Sequence, residues 1–374
     1  MNRSLLGGLS PRAFLARHWQ QRPLLVRNAL PDFRPPAGRA LLERLSARDD
    51  VESRLVLRRK AGWQVEHGPF TRARLARLPR ADWTLLVSGL NLHLPAADAL
   101  LRRFAFLPQA RLDDVMVSLA APGGGVGPHA DAYDVFLLQG TGRRVWRIAR
   151  PQAFAEVPDA PLKLIDGFEP EEEYLLEPGD LLYLPPGWGH DGVALDTCTT
   201  WSIGFRAPGG AELCTGFLDW LQARGFADRC YRDPGIAPTT RSAQLPKSMI
   251  AHARRSLSAI RWTPREAAQF LGMTLSTPKP LVVFTQHRMP AAAAFARRLA
   301  RSAVVLDARS QLLHDGATFY VNGESLRPPA RARAALARLA DARRAPGPAL
   351  ARAGLAALLR EWYGHGWISL VPAR

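Results

Sequence analysis

Cysteine is scarce in this chain. Its 374 residues hold three, Cys198, Cys214 and Cys230, and none forms a CxxC pair. An odd, sparse set argues against a disulfide framework and fits a reducing compartment. Long apolar runs are missing too. No stretch of about 18 apolar residues occurs, so no membrane-spanning helix is expected. The opening run MNRSLLGGLSPRAF lacks the apolar centre of a secretory signal, which points to the cytoplasm. Lysine is nearly absent: Lys60, Lys163, Lys247 and Lys279 are the four lysines among 50 basic residues. Arginine in its place, with abundant alanine, is the composition of a GC-rich bacterial genome.

What is present is a length suited to two or three domains, with 47% hydrophobic residues, enough for a full core. The formal charge of +17 is unevenly spread. Residues 241–374 hold 21 Lys and Arg against 6 Asp and Glu, whereas residues 131–200 hold 5 against 13. The basic third is either compositional drift on solvated helix faces or a surface for an RNA-rich setting, with direct RNA contact left open. The acidic stretch would suit a cationic partner. Asp134 and Glu171–Glu173 are candidate contributors, although a glutamate run is equally a solvated loop.

Residues 4–27 read as an amphipathic helix around SPRAFLARHWQQ, with Ser10 as N-cap, Pro11 at the first helical position and Arg22-Pro23 as the stop. Leu24–Val26 starts a short strand. Short helices are expected over 38–48, 70–78 and 96–104, with a buried strand over 83–88. From Asp113 the texture changes to short strands and Gly/Pro turns. Strands are expected over 114–120, 135–139, 143–148, 173–176, 181–184 and 198–206. That spacing means a small β-barrel or a double-sheet jelly roll. After Pro208 the pattern turns helical over 211–224, 246–260 and 267–273. From Lys279 a further unit is expected. It comprises a strand (LVVF), a helix, hairpin turns at Asp315-Gly316 and Asn322-Gly323, two Arg-rich helices and a final strand, and is winged-helix-like. Three parts follow: residues 1–207, 208–276 and 277–374.

The chemistry-bearing signal is Gly127-Pro128-His129-Ala130-Asp131, followed far downstream by Pro185-Pro186-Gly187-Trp188-Gly189-His190. On a strand, His129 and Asp131 share a side, since alternate residues point the same way. Two histidines and a carboxylate on one face of an octahedron form the facial triad of non-haem Fe(II) oxygenases, leaving open positions for co-substrate and dioxygen. Any one histidine taken singly fits a core or surface role as well. The Gly-rich approach and the PPGW turn single this pair out. Along Arg143–Ile148, alternation puts Arg144, Trp146 and Ile148 on one face. An inward Arg144 in an apolar barrel needs an anion. That anion is a bound carboxylate or an internal Asp or Glu. Ser118 and Ser202 could each add a hydroxyl to a bound carboxylate or merely bond to backbone.

The runs GPHADAYDVFLLQGTGRRVWRI, LPPGWGH and FLARHWQQRPLLVR closely resemble the JmjC-type ribosomal oxygenases of the cupin superfamily, strongly over residues 10–206. The resemblance implies an α+β protein with a double-stranded β-helix (jelly-roll) catalytic core over 1–207, a helical dimerisation region over 208–276 and a basic winged-helix-like domain over 277–374. It implies a homodimer with Fe(II), 2-oxoglutarate and dioxygen as cofactor and co-substrates. His129, Asp131 and His190 would be the metal ligands. Arg144 would hold the distal carboxylate of 2-oxoglutarate, where many JmjC relatives have Lys. The bacterial branch implies hydroxylation of an arginine in the sixteenth protein of the large ribosomal subunit. Histidine hydroxylation of another ribosomal protein, a small-molecule cupin oxygenase and a non-catalytic ribosome-binding module remain as alternatives.

Overall fold

A computed structural model describes residues 3–60, 62–225 and 230–373. They group into two compact units that interleave along the chain. The first comprises Met1–Ala207, Pro278–Ser310 and Ala334–Arg374, and the second Pro208–Thr277 and Gln311–Arg333. Among the described residues no helix is long and apolar enough to cross a membrane.

The first unit carries twelve strands before residue 207: β1 (Leu24–Val26), β2 (Ser53–Arg59), β3 (Gly62–His67), β4 (Trp83–Val87), β5 (Leu112–Ala120), β6 (His129–Ala130), β7 (Val135–Thr141), β8 (Arg144–Ala149), β9 (Glu172–Leu176), β10 (Leu181–Leu184), β11 (Gly189–Ala194) and β12 (Cys198–Phe205). They form an eight-stranded sheet in the order β1-β10-β7-β12-β5-β4-β2-β3 and a four-stranded sheet in the order β6-β11-β8-β9. The last eight strands in sequence are divided four and four between the two sheets. This is the expected double-sheet jelly roll, extended on its larger sheet by β1 and β2–β4.

Strand periodicity decides what each face of the larger sheet does. Val115, Val117 and Leu119 of β5, Phe136 and Leu138 of β7, and Trp201, Ile203 and Phe205 of β12 enter one core cluster with the N-terminal helices. Phe136 is fully buried there, with ring centroids 4.7 Å from Phe104, 4.8 Å from Tyr183 and 5.6 Å from Phe14. The alternate residues face the opposite side. There Val135 and Leu137 join Trp146 and Ile148 of β8, Leu182, Leu184 and Trp188 in a second cluster between the sheets.

Several elements differ from the sequence reading. The N-terminal helix is only Pro11–Arg17, capped as expected by the Ser10 hydroxyl on the Ala13 amide, and it ends at His18, ahead of Arg22-Pro23. The β2–β3 hairpin and β11 were not expected. Their glycine and charged residues mask the alternation that marks a strand: β11 reads GHDGVA and the end of β2 reads LRR. The run Leu281–Phe284 is not a strand, because it pairs with no other strand. The strand lies instead at Ser302–Leu306, between Arg344–Pro346 and Ile368–Pro372. In the second unit the helices Gly210–Ala223, Lys247–Ser258 and Pro264–Ser276 accompany a three-stranded hairpin sheet, Leu312–His314, Phe319–Val321 and Glu324–Leu326. The Thr263–Glu266 capping box starts the third helix three residues before the expected position.

Candidate metal centre and adjoining cavity

The short strand β6 pairs with β11 so that His129 lies directly opposite His190. Asp131 follows one residue past β6, and its carbonyl accepts the Gly187 amide from the Pro-Pro-Gly-Trp turn at 2.8 Å. That bond ties the segment carrying the first two side chains to the turn preceding the third. Gly127 enters this segment at φ +77°, and a Cβ there would meet the Leu164 side chain at 2.6 Å, so only glycine suits the approach. One ligand atom from each of His129, Asp131 and His190 lies within 4.8 Å of the others, with His190 Nε2 3.7 Å from Asp131 Oδ2.

Both imidazoles are oriented by backbone. His129 Nδ1–H donates to the Gly127 carbonyl at 2.9 Å and His190 Nδ1–H to the Trp188 carbonyl at 2.9 Å. Each bond leaves Nε2 with a free lone pair, which is the arrangement a metal-binding histidine needs. Burial, seconded by the nearby His129, pushes the His190 imidazole down to about 4. It is therefore neutral at ordinary pH. The donor set of two imidazole nitrogens and one carboxylate suits a divalent iron-type ion.

These residues open into a cavity of about 240 Å³. Its walls follow strand alternation. β5 contributes Asp114, Met116 and Ser118, β12 contributes Thr200, Ser202 and Gly204, β7 contributes Val135 and Leu137, and β8 contributes Arg144 and Trp146. All the site residues expected from sequence, His129, Asp131, His190, Arg144, Ser118 and Ser202, therefore line one space. Arg144 is 3% exposed. One of its terminal nitrogens lies 3.7 Å from Cys198 Sγ, its guanidinium sits 5.6 Å from the Trp146 ring centroid, and its Nε has no hydrogen-bond partner. Among the described residues no carboxylate pairs with it. A buried guanidinium left in this state is suited to an anion of a bound molecule.

Three acidic residues that sequence reasoning passed over also line the cavity, Glu52, Asp113 and Asp114. Alternation was the available signal: Asp114 stands two and four residues ahead of Met116 and Ser118. The candidates chosen from sequence lie elsewhere. Asp134 is fully buried and bound by Tyr183, Gln20 and Arg111, a structural role. Glu173 and Glu171 pair with Arg147 and Arg150 on the surface. Thr200, whose hydroxyl donates to Gln139, and Tyr133 were likewise missed.

A JmjC-domain family model matches residues 99–213, and a ROXA-like winged-helix model matches residues 259–369. The chain is 42% identical over 266 residues to the ribosomal protein uL16 3-hydroxylase of Escherichia coli K12, covering 70% of each. This chain belongs to the JmjC-type ribosomal oxygenases. Among other ribosomal oxygenases, a probable one from Haemophilus influenzae is 36% identical over 232 residues, covering 61% of this chain and 55% of the relative. The crystal structure of Escherichia coli YcfD superimposes with a TM-score of 0.83 at 33% identity, covering 97% of this chain and 98% of that one. The same ribosomal oxygenase solved with cobalt and 2-oxoglutarate gives 0.80 at 34% identity over the same shares. The jelly-roll core and the C-terminal winged helix are thus those of the family.

The depressed His190 imidazole sets a pH dependence. The unfolded chain binds a proton at His190 below about 6.5, while the folded chain resists it until about 4. Without metal, the stability of the fold should therefore fall as pH drops from 6.5 towards 4 and flatten below. Chemical denaturation across this range should show a shallower loss in His190→Gln. An identical slope in both proteins would mean that His190 is not held neutral.

Proposed function

We propose that the chain is an Fe(II)- and 2-oxoglutarate-dependent hydroxylase acting on an arginine side chain of a large-subunit ribosomal protein, the sixteenth, by likeness to the Escherichia coli uL16 hydroxylase. One observation carries this most: the His129–Asp131–His190 cluster and Arg144, which no carboxylate of the described residues pairs with, face one cavity. His129 Nε2, the Asp131 carboxylate and His190 Nε2 would hold the iron. Arg144 would clamp the distal carboxylate of 2-oxoglutarate, with Ser118 and Ser202 adding hydroxyls. When bound, iron and 2-oxoglutarate supply the oxidising power: dioxygen is consumed, carbon dioxide and succinate leave, and one oxygen atom enters an unactivated C–H bond.

The chain's own residues position and insulate. Val135, Leu137 and Trp146 present apolar walls to the cavity and keep water from the reacting centre. Asp113 and Asp114 supply the anionic wall that a guanidinium requires, and the net acidity of residues 131–200 favours approach of a basic protein. The basic C-terminal third suits an RNA-rich setting.

Succinate release under Fe(II) tests the site. His129→Ala or His190→Ala should abolish turnover. Arg144→Ala should weaken 2-oxoglutarate binding by about 2–5 kcal/mol, the usual cost of stranding one partner of a buried charge pair. Arg144→Lys should lose less. Unchanged 2-oxoglutarate affinity in Arg144→Ala would refute the assignment.

Tandem mass spectrometry of ribosomal proteins from wild-type and deletion cells tests the substrate. A gain of about 16 Da, one oxygen atom, should sit on an arginine and vanish on deletion. The same mark on a histidine would redirect the substrate, and identical masses in both strains would remove the ribosomal reading.

The homodimer is assigned to the helical stretch 208–276. Phe217 and Trp220 pack on Phe270 within their own unit. Leu218, Ile250, Leu257 and Trp262 remain 49–69% exposed, more apolar surface than scattered single residues provide. Light scattering at micromolar concentration should give twice the chain mass, and Leu218→Glu with Leu257→Glu should halve it. A monomeric wild-type protein would end this assignment.

A further inference from the structure

The anionic wall of the catalytic cavity is already occupied. Lys279 Nζ lies 3.1 Å from Asp113 Oδ1 and 3.2 Å from Asp114 Oδ2. Asp114 also accepts the Gly89 amide at 3.0 Å, and Asp113 faces Arg206 Nε at 3.3 Å. Burial pushes the Asp114 carboxyl up, with Lys279 opposing, which makes it the carboxylate here that most needs a cation. The cluster of two carboxylates, one ammonium and one guanidinium is neutral overall. A cationic side chain arriving at Asp114 meets no net attraction while Lys279 stays in place.

Lys279 also has somewhere to go. It lines a second cavity, about 190 Å³, with Asp50, Glu52, Leu281 and Val283. The two cavities share Glu52, Ser88, Asp114 and Lys279, so the ion pair stands on the wall between them. The Lys279 side chain is 34% exposed and stands next to Pro280 in a segment with no helix or strand to fix it.

We propose that Lys279 is a specificity-determining residue: an internal cation that holds Asp113 and Asp114 until the substrate's guanidinium displaces it towards Glu52 in the second cavity. This rests on the arginine reading above. The displacement selects by chemistry. A guanidinium offers a planar fork of donors to a carboxylate, whereas an ammonium merely replaces one point charge with another, and a neutral side chain cannot leave Asp114 compensated. Lys279 therefore costs affinity for a cationic ligand that must displace it, a guanidinium recovers that cost best through its fork, and a neutral ligand that leaves the ion pair in place gains nothing from its removal.

Calorimetric titration of the full chain with N-acetylargininamide and with its neutral isostere N-acetylcitrullinamide tests this. Lys279→Met keeps the aliphatic stem and removes the charge. It should bind the arginine probe about tenfold more tightly, which corresponds to roughly 1.4 kcal/mol, and the citrulline probe no better. The arginine affinity should also become more salt-dependent, because an uncompensated anion then meets the cation. Lys279→Gln should behave alike should the Met variant fail to fold, and Lys279→Arg should keep the weak wild-type affinity. With the ribosomal-protein substrate, the KM of Lys279→Met should fall while kcat stays near wild type. Equal or weaker arginine-probe binding in both uncharged variants would overturn the proposal. Should the probe respond as expected while no ribosomal arginine is hydroxylated, the displacement stands and the substrate reading falls.

Discussion

Strand alternation in the jelly roll is the constraint on which the rest depends. Each of β5, β7 and β12 gives one set of side chains to the aromatic core beneath the larger sheet and the other set to the space between the sheets. A one-residue slip in register would exchange the two sets, putting Trp201 and Phe136 into the cavity and Ser202 and Leu137 into the core. The bulk of the core cluster makes such a slip costly. The chemistry thus inherits its precision from apolar packing on the far side of the same strands.

The site adds a second layer of order through backbone carbonyls. Gly127 and Trp188 fix the tautomers of the two histidines, and the pairing of β6 with β11 sets those rings 4.2 Å apart between centroids. None of these contacts uses a charged partner. That leaves each Nε2 turned towards the cluster, whereas a carboxylate behind either ring would raise its basicity. Charge lines the cavity elsewhere: Arg144 at one wall, with its Nε unpartnered, and the Asp113–Asp114–Lys279 cluster at another, with Glu52 and Arg54 also on the lining. The arrangement suits a reaction whose two organic participants carry opposite charge.

Much of this was legible in the sequence because the signals were local. Ser10-Pro11 marked a helix start, Gly-Pro-His-Ala-Asp and Pro-Pro-Gly-Trp-Gly-His marked the metal-type cluster, and the alternation of RVWRI placed Arg144 inward. What failed were inferences across distance. LVVF at 281–284 has strand composition, yet no neighbouring edge is available to pair with it, and composition cannot report a missing partner. Strand β11 was overlooked because two glycines and an aspartate dilute its pattern, although Gly192 is there to admit the Trp146 ring, which a Cβ would meet at 2.6 Å.

The sequence by itself determined the family, the jelly-roll class and which three side chains, His129, Asp131 and His190, cluster, since each depends on short motifs whose backbone geometry is locally encoded. The acidic wall was decided only by the tertiary structure. Asp113 and Asp114 carry no motif, and Asp134, the more conspicuous acid beside the metal cluster in sequence, points the other way into a buried network with Tyr183 and Arg111. Lys279 reaches that wall from 165 positions further along the chain than Asp114. No local pattern encodes such a meeting, because an ion pair between distant segments exists only once packing has brought their backbones together.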